Sequence, residues 1–473
     1  MRHARIQQAK PERSFAERIV AVIVAIAMLG GMGYATTSAA MAADAEQTTE
    51  QQAGISLGLY DYNRDTINNN HALKFKNVDG SKPYSTYNKY VGNNNGAYTG
   101  IVNKTLTGDY PTMADGKGSL DYLFGGKLDD SVVTNHETDG GLLTLGKDGY
   151  YSFNADSQYA AYDTTSNKFN LSSRSCVNQT DTPCFTPFGN DTDENRYSFG
   201  MKLGADFYMP KGGMVNNQPM VFNFTGDDDV WVFIDGVLVL DLGGIHQALD
   251  GSIDFAADNG KGNIDYHGKQ QNYGNPPPAT SIDQAFRAAG KTWDPTAYKR
   301  HHLSFFYLER GDGGSNCKIR FNLPVRPSKA IDIEKETLGT IDAKKQFQFQ
   351  LFVNGSLTPY QGKYSVYDAS TNQPLFDNKQ TIDNGVITLA KGQFARVQSD
   401  DFTDSTVYKV RELNSSGYTV SANGSPMTQY GHDDNAYAET GSFTVGTTGH
   451  VTIVNSNVKP SNNKSIVKTD GGD

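Results

Sequence analysis

Lys335, Glu412 and Asn455 occupy equivalent places in three short alternating runs of the chain. In IDIEK, Ile331, Ile333 and Lys335 share a face; in YKVRE, Tyr408, Val410 and Glu412 do; in VTIVN, Val451, Ile453 and Asn455 do. Each run thus ends an inward-facing apolar series on an amine, a carboxyl or a carboxamide. Burying an ammonium or a carboxylate unpaired is costly, so the groups are expected to meet. A lysine whose apolar surroundings lower its pKa is a neutral amine able to attack a carboxamide. A protonated glutamate beside it can polarise the carbonyl and shuttle protons. The chemistry implied is one self-reaction that ties two strands together; at solvated strand ends the same residues would be ordinary rim polar groups.

A second constellation lies in FTGDDDVWVFIDGVLVLDLGGIH, from Phe224 to His246, where Asp227, Asp228 and Asp229 precede an alternating apolar run. Three adjacent carboxylates repel one another, and Ca²⁺ takes several oxygen ligands. The bare triplet fits either a calcium site or a solvated acidic loop. Phe222 and Phe224 before it, and Val230, Val232 and Ile234 against Trp231 and Phe233 after it, describe two buried strands. Asp235-Gly236 then turns the second strand back into Val237 to Leu240. The aspartates are therefore expected at a strand-to-strand corner, outside the core. His246, after Gly243-Gly244, is a further ligand candidate, with a purely local hydrogen-bonding role as the alternative. Trp231, Trp293 and some tyrosines could stack on sugars, although with 26 Tyr and 24 Phe most aromatic rings must be core or sheet surface. Glycoside hydrolysis needs two carboxyls about 5 to 9.5 Å apart across a substrate, which adjacent aspartates do not supply. The sequence carries no GxSxG, HExxH or P-loop, so no turnover is expected.

Strands must position both sets. The chain has 473 residues, more than one core holds, since single cores stop growing near about 250 to 300 residues. It is rich in Gly, Asn, Asp, Tyr and Thr, and its short alternating runs are separated by turn formers, which makes it all-β. Polar stretches such as VGNNNGAYTG read as long loops. Only Ser281 to Ala289 predicts a short helix, with Ile282, Ala285 and Phe286 on one face. NLPVRPSKA, with Pro324 and Pro327, is expected to be an extended linker. Beyond it, seven or eight short strands with Gly, Asn and Asp turns fit an immunoglobulin-like β-sandwich.

The first 42 residues differ from the rest. Arg2, Arg5, Lys10, Arg13 and Arg18 precede the apolar run Ile19 to Leu29 and the sequence Ala40-Met41-Ala42, the pattern of an export signal cleaved near Ala42. Gly30, Gly31 and Gly33 interrupt the apolar run, so no transmembrane anchor is expected to remain. Removal takes away five basic and two acidic residues and moves the net charge from −10 to −13. So acidic a chain repels phosphate backbones and makes nucleic acid an unsuitable partner, while divalent cations and neutral ligands suit it. In an oxidising compartment Cys176 and Cys184 could close the loop CVNQTDTPC as a disulfide, leaving Cys317 alone; two unrelated thiols are the alternative.

The acidic block, with FGMKLGADFYMPKGG before it and FFYLERGDGGSNCKIRFNLP after it, resembles the fibro-slime domain, a relative of the PA14 β-barrel module of bacterial surface proteins. The resemblance covers about residues 53 to 325. Calcium-dependent PA14 lectins carry two adjacent cis-linked aspartates before a strand ending in a hydrophobic-Asp-Gly turn, which implies Asp227 and Asp228 as calcium ligands. Asp229 then takes a place usually held by a small residue. A second loop of those lectins supplies an Asn; here it is RGDGGSN, which implies Asn316, with Asp312 as substitute. Residues 329 to 457 are similar to pilin-type or Cna B-type domains of Gram-positive surface proteins. Those domains form a Lys-Asn isopeptide bond assisted by a Glu of a Y-x-x-x-E strand; Lys335, Glu412 and Asn455 match that order, with Asn457 the alternative acceptor. The expected architecture is a leader (1–42), a PA14-like barrel or sandwich with long loops (43–325), an immunoglobulin-like sandwich (326–458) and a polar tail (459–473). The expected protein is a secreted or cell-surface adhesin of Gram-positive type. It would bind carbohydrate, a surface glycoprotein or other surface proteins with the help of Ca²⁺; a structural fibre component is the alternative. The chain closes on SIVKTDGGD without LPxTG, so release, retention by partners or a truncated chain is expected.

Overall fold

A computed structural model describes residues 53–63, 73, 75, 90, 96–126, 133–173, 185–188, 197–266, 279–310, 315–327, 329–375, 380–381 and 385–458, with backbone only for 133–137 and 380–381. The described residues, from Ala53 to Val458, belong to one compact unit. It is nearly all β, as the alternating runs predict, with almost wholly antiparallel pairing, and among the described residues no sheet closes into a barrel. Among the described residues no helix is long and apolar enough to cross a membrane.

Two six-stranded sheets make the first sandwich. One contains β1 (Ile55–Tyr62), β2 (Phe199–Tyr208), β4 (Asp229–Ile234), β5 (Val237–Leu242) and β6 (Arg300–Glu309), in the spatial order β5-β4-β6-β2-β1. The other pairs β3 (Val221–Asp227) with β7 (Asn316–Phe321). All six residues of β4 are buried. Val230, Val232 and Ile234 enter the core between the sheets, and Trp231 and Phe233 enter a second core with Ile101, Met113 and Phe306. Asp235 (φ 49°) and Gly236 (φ 72°) both take the left-handed region, as the two-residue hairpin into β5 requires. The helix α1 (Ile282–Ala288) is capped by Ser281, whose Oγ accepts from the Gln284 N–H at 3.1 Å.

The second sandwich holds β8 (Ala330–Leu338), β9 (Phe347–Val353), β10 (Val407–Leu413) and β11 (His450–Ser456). β8 and β11 pair in parallel in one sheet, β9 and β10 antiparallel in the other. NLPVRPSKA is not an extended spacer. Arg326 within it is fully buried and donates to the carbonyls of Ala330 (3.0 Å) and Val445 (2.9 Å). The Tyr208 and His450 rings stack across the junction at 4.1 Å, and Arg300 reaches both Asp206 (2.6 Å) and Asp404 (2.8 Å).

Candidate functional site

The acidic triplet is not a solvated corner. Asp227 ends β3, Asp229 begins β4, and only Asp228 lies between them, joined to Asp227 by a cis peptide bond. Asp228 is 4 % exposed and Asp229 fully buried. Burial is tolerated because donors converge on the carboxyls. Asp228 Oδ1 accepts from the His246 N–H (2.9 Å) and Oδ2 from the Arg310 N–H (3.2 Å). Asp229 accepts from Gly244 N–H (2.6 Å) and from Nε and Nη2 of Arg310, itself fully buried. Asp229 is thus a structural anchor joining β4 to the chain after β6, not a ligand-facing residue.

Asp227 Oδ1 accepts from the Asn316 N–H at 2.6 Å, across the β3–β7 register. Asn316 Nδ2 donates to Asp156 at 3.3 Å, whereas its Oδ1 is buried and accepts no hydrogen bond among the described residues. Glu309, at the end of β6, is a member the sequence reading missed. It is 1 % exposed, and its Oε2 lies 3.1 Å from the Tyr307 hydroxyl, which is also 2.6 Å from the Asp227 carbonyl oxygen. Burial pushes Asp227 up to about 6. Burial, then the Asp227 charge, pushes Asp228 well up, and Glu309 rises through burial and both aspartates. Oxygen-only donors and an orphaned amide oxygen fit a hard cation such as Ca²⁺. Among the described residues no three His, Cys, Asp or Glu are grouped to hold a metal by themselves, so Asn316 and backbone oxygens would have to contribute.

His246 faces its own chain. Its ring nitrogens lie 2.8 Å from the Gln247 carbonyl and 3.1 Å from the Leu242 carbonyl, and burial lowers its pKa. Its role is local. Trp231 and Trp293 are buried and offer no ring to a sugar. Asp312, Cys176 and Cys184 lie outside the described residues. Cys317 is free and buried.

In the second sandwich Lys335, Glu412 and Asn455 all have zero exposure and come together between the sheets. Lys335 Nζ is 2.5 Å from Asn455 Oδ1, and Asn455 Nδ2 donates to Glu412 Oε1, also at 2.5 Å. Glu412 Oε2 lies 3.8 Å from Nζ and accepts no hydrogen bond among the described residues. The Phe347 ring is 4.3 Å from Nζ. Burial lowers Lys335 to about 8, against the opposing pull of Glu412, and burial raises Glu412. Both shifts favour the neutral pair. Asn457 is exposed and bonds Thr340.

No protein-family model matches the chain. It is 34% identical over 142 residues to Protein psiO of Dictyostelium discoideum, covering 30% of this chain and 14% of that protein. It is 33% identical over 133 residues to Protein psiF of the same organism, covering 28% and 15% respectively. The chain therefore spans only a small part of the length of these relatives. Among solved structures it is similar to the pilus-presented adhesin Cpa (14% identity, 38% of this chain and 39% of that one, TM-score 0.20). It is also similar to the major pilin from Streptococcus pyogenes (12% identity, 87% and 95%, TM-score 0.21). Likenesses this slight carry no argument about the sites.

Proposed function

We propose that the chain is an exported surface protein that binds a carbohydrate or another surface ligand at the acidic corner, with Ca²⁺ as cofactor. A sandwich locked by a Lys335–Asn455 amide bond would display that corner. In this reading residues 1–42 are a leader, 43–325 the binding domain, 326–458 the locked domain and 459–473 a tail. The observation that carries the locked sandwich is the buried contact of amine, carboxamide and carboxyl between its sheets. The neutral Lys335 amine attacks Cγ of Asn455; a C–N bond forms, the bond from Cγ to Nδ2 breaks, and ammonia leaves. Glu412, protonated, donates to the carboxamide, takes up the amine proton and is regenerated. The corner's part is supported by the fibro-slime resemblance and by the orphaned Asn316 Oδ1. Asp227, Asp228 and Asn316 would hold the cation, with Glu309 adding negative charge, and the cation would order the loops that meet a ligand.

A purely structural role is favoured by one observation: both carboxylate oxygens of Asp228 are taken by main-chain N–H groups from two separate segments. Glycan-array binding with and without EDTA decides. Binding lost with EDTA supports the adhesin; calcium-dependent melting with no glycan bound supports the structural component; turnover of a polysaccharide overturns both.

A further inference from the structure

A groove of about 670 Å³ runs along the edge strand β5, between the segment carrying Gly100 to Ala114 and helix α1. That volume is typical of small-molecule sites, about 300 to 1,000 Å³. Small side chains leave room for it: Ala285, Ala288 and the C-cap Ala289 line it together with Val102, Leu238 and Val239. One carboxyl lines this channel, whose other walls are part aliphatic and part polar, the latter through Asn103, Thr105, Thr107, Thr112 and Gln284. Asp241 is 6 % exposed; its Oδ2 accepts from the Gly100 N–H at 2.8 Å and its Oδ1 from the Gly243 N–H at 3.3 Å. Each carboxylate oxygen has two lone pairs, so capacity for a further donor remains. Among the described residues Asp241 has no cationic partner. The charged or titratable groups around it are Asp229 of β4, already held by Arg310, Tyr266, and Lys104 on the exposed rim.

We propose that this groove binds a primary alkylammonium group, its cationic head on Asp241 and its aliphatic stem between Val102, Leu238, Val239 and the alanine wall. A buried carboxyl with no cationic partner among the described residues, beside aliphatic side chains, matches a cation on a methylene chain. Asn103, Thr105, Thr107, Thr112 and Gln284 also line the groove and could meet a sugar's hydroxyls, so galactose is the competing ligand in the test. The same chemistry is carried by a free alkylamine and by a lysine side chain on a neighbouring protein. The proposal does not depend on calcium or on the bond in the second sandwich.

The test is titration of the full chain with n-pentylamine hydrochloride, 1-pentanol, the tripeptide acetyl-Gly-Lys-Gly-amide and galactose. It is followed by calorimetry and by the amide resonances of Gly100 and Gly243. Pentylammonium is expected to bind at millimolar concentration or below and to move both resonances, with 1-pentanol at least about tenfold weaker. Binding weakens about tenfold from pH 8 to pH 6 as Asp241, raised to about 7 by burial, takes up its proton. Asp241→Asn removes the preference for the amine, and Ala289→Phe, which fills the groove with the carboxyl intact, abolishes binding even if Asp241→Asn does not fold. Tighter binding of the tripeptide assigns the site to a protein lysine; binding of pentylammonium alone assigns it to a free amine. The proposal is overturned by equal binding of alcohol and amine, by galactose binding in their place, by no binding at millimolar amine, or by unchanged binding in either variant.

Discussion

Replacing Glu412 with glutamine tests the locked sandwich most directly. A glutamine there would keep the side-chain volume and an acceptor for Asn455 Nδ2, which Glu412 Oε1 meets at 2.5 Å, but it cannot supply the proton the condensation moves. The tie joins residues 120 positions apart. The chain entropy removed by closing a loop of that length is worth about 5 kcal/mol at 25 °C. For a sandwich of this size, at about 3 to 4 °C per kcal/mol, the variant should melt roughly 15 to 20 °C lower. Intact-protein mass spectrometry reads the bond itself: the wild type is lighter than its sequence mass by about 17 Da, the ammonia released, and Glu412→Gln is not. Differential scanning calorimetry reads the stability. A wild type at its full sequence mass refutes the bond; a wild type lighter by ammonia but melting with the variant refutes the entropic reasoning.

At the acidic corner, saturating calcium should stabilise the wild type by about 2.7 kcal/mol at a hundred times its Kd. Thermal melts of Asp228→Asn and Asn316→Ala should show no such gain, and a full gain in Asn316→Ala removes that residue from the ligand set. Arg310→Met leaves the buried Asp229 carboxylate unpaired and should cost about 3 to 5 kcal/mol in urea unfolding, with much of the loss recovered in the double variant Asp229→Leu/Arg310→Met. Burial holds Asp241 at about 7 against an ordinary 3.8, so its contribution to stability is full below about pH 4 and lost as pH rises through 7. Urea unfolding at pH 5 and pH 8 should therefore show a loss in the wild type that is smaller in Asp241→Asn.

Strand parity was enough to bring Lys335, Glu412 and Asn455 to one place, because a period of two fixes which face a side chain takes and both sheets of a sandwich point that face inward. The Asp235-Gly236 hairpin and the short helix between Ser281 and Ala289 were legible because each is set by a few neighbouring residues. Arg326 was not legible, since prolines on either side signal extension and say nothing of the carbonyls of Ala330 and Val445 that its guanidinium meets. Nor was the burial of Asp228 and Asp229. Arg310, which makes it tolerable, lies 81 residues from Asp229, and no local pattern pairs them. Glu309 had one available signal: it follows Leu308 at the end of an apolar strand that β4 and β2 both flank.

The two buried constellations differ in how their charge can be settled. In the second sandwich one amine faces one carboxyl, and condensation turns the amine into an amide while Glu412 stays a neutral acid, so the chain can settle the site alone. At the corner the half-buried Asp227 and the buried Asp228 and Glu309 lie near one guanidinium among the described residues, that of Arg310, and it is engaged by Asp229. Protons or an external cation must supply the balance there, which is why all three carboxyls are pushed upward. Protons and Ca²⁺ should then compete for one site: binding of calcium to the full chain should release protons, and buffers of different ionisation enthalpy should give different apparent heats in calorimetry. Buffer-independent heats would mean that the carboxyls are already ionised and that their charge is balanced in some other way.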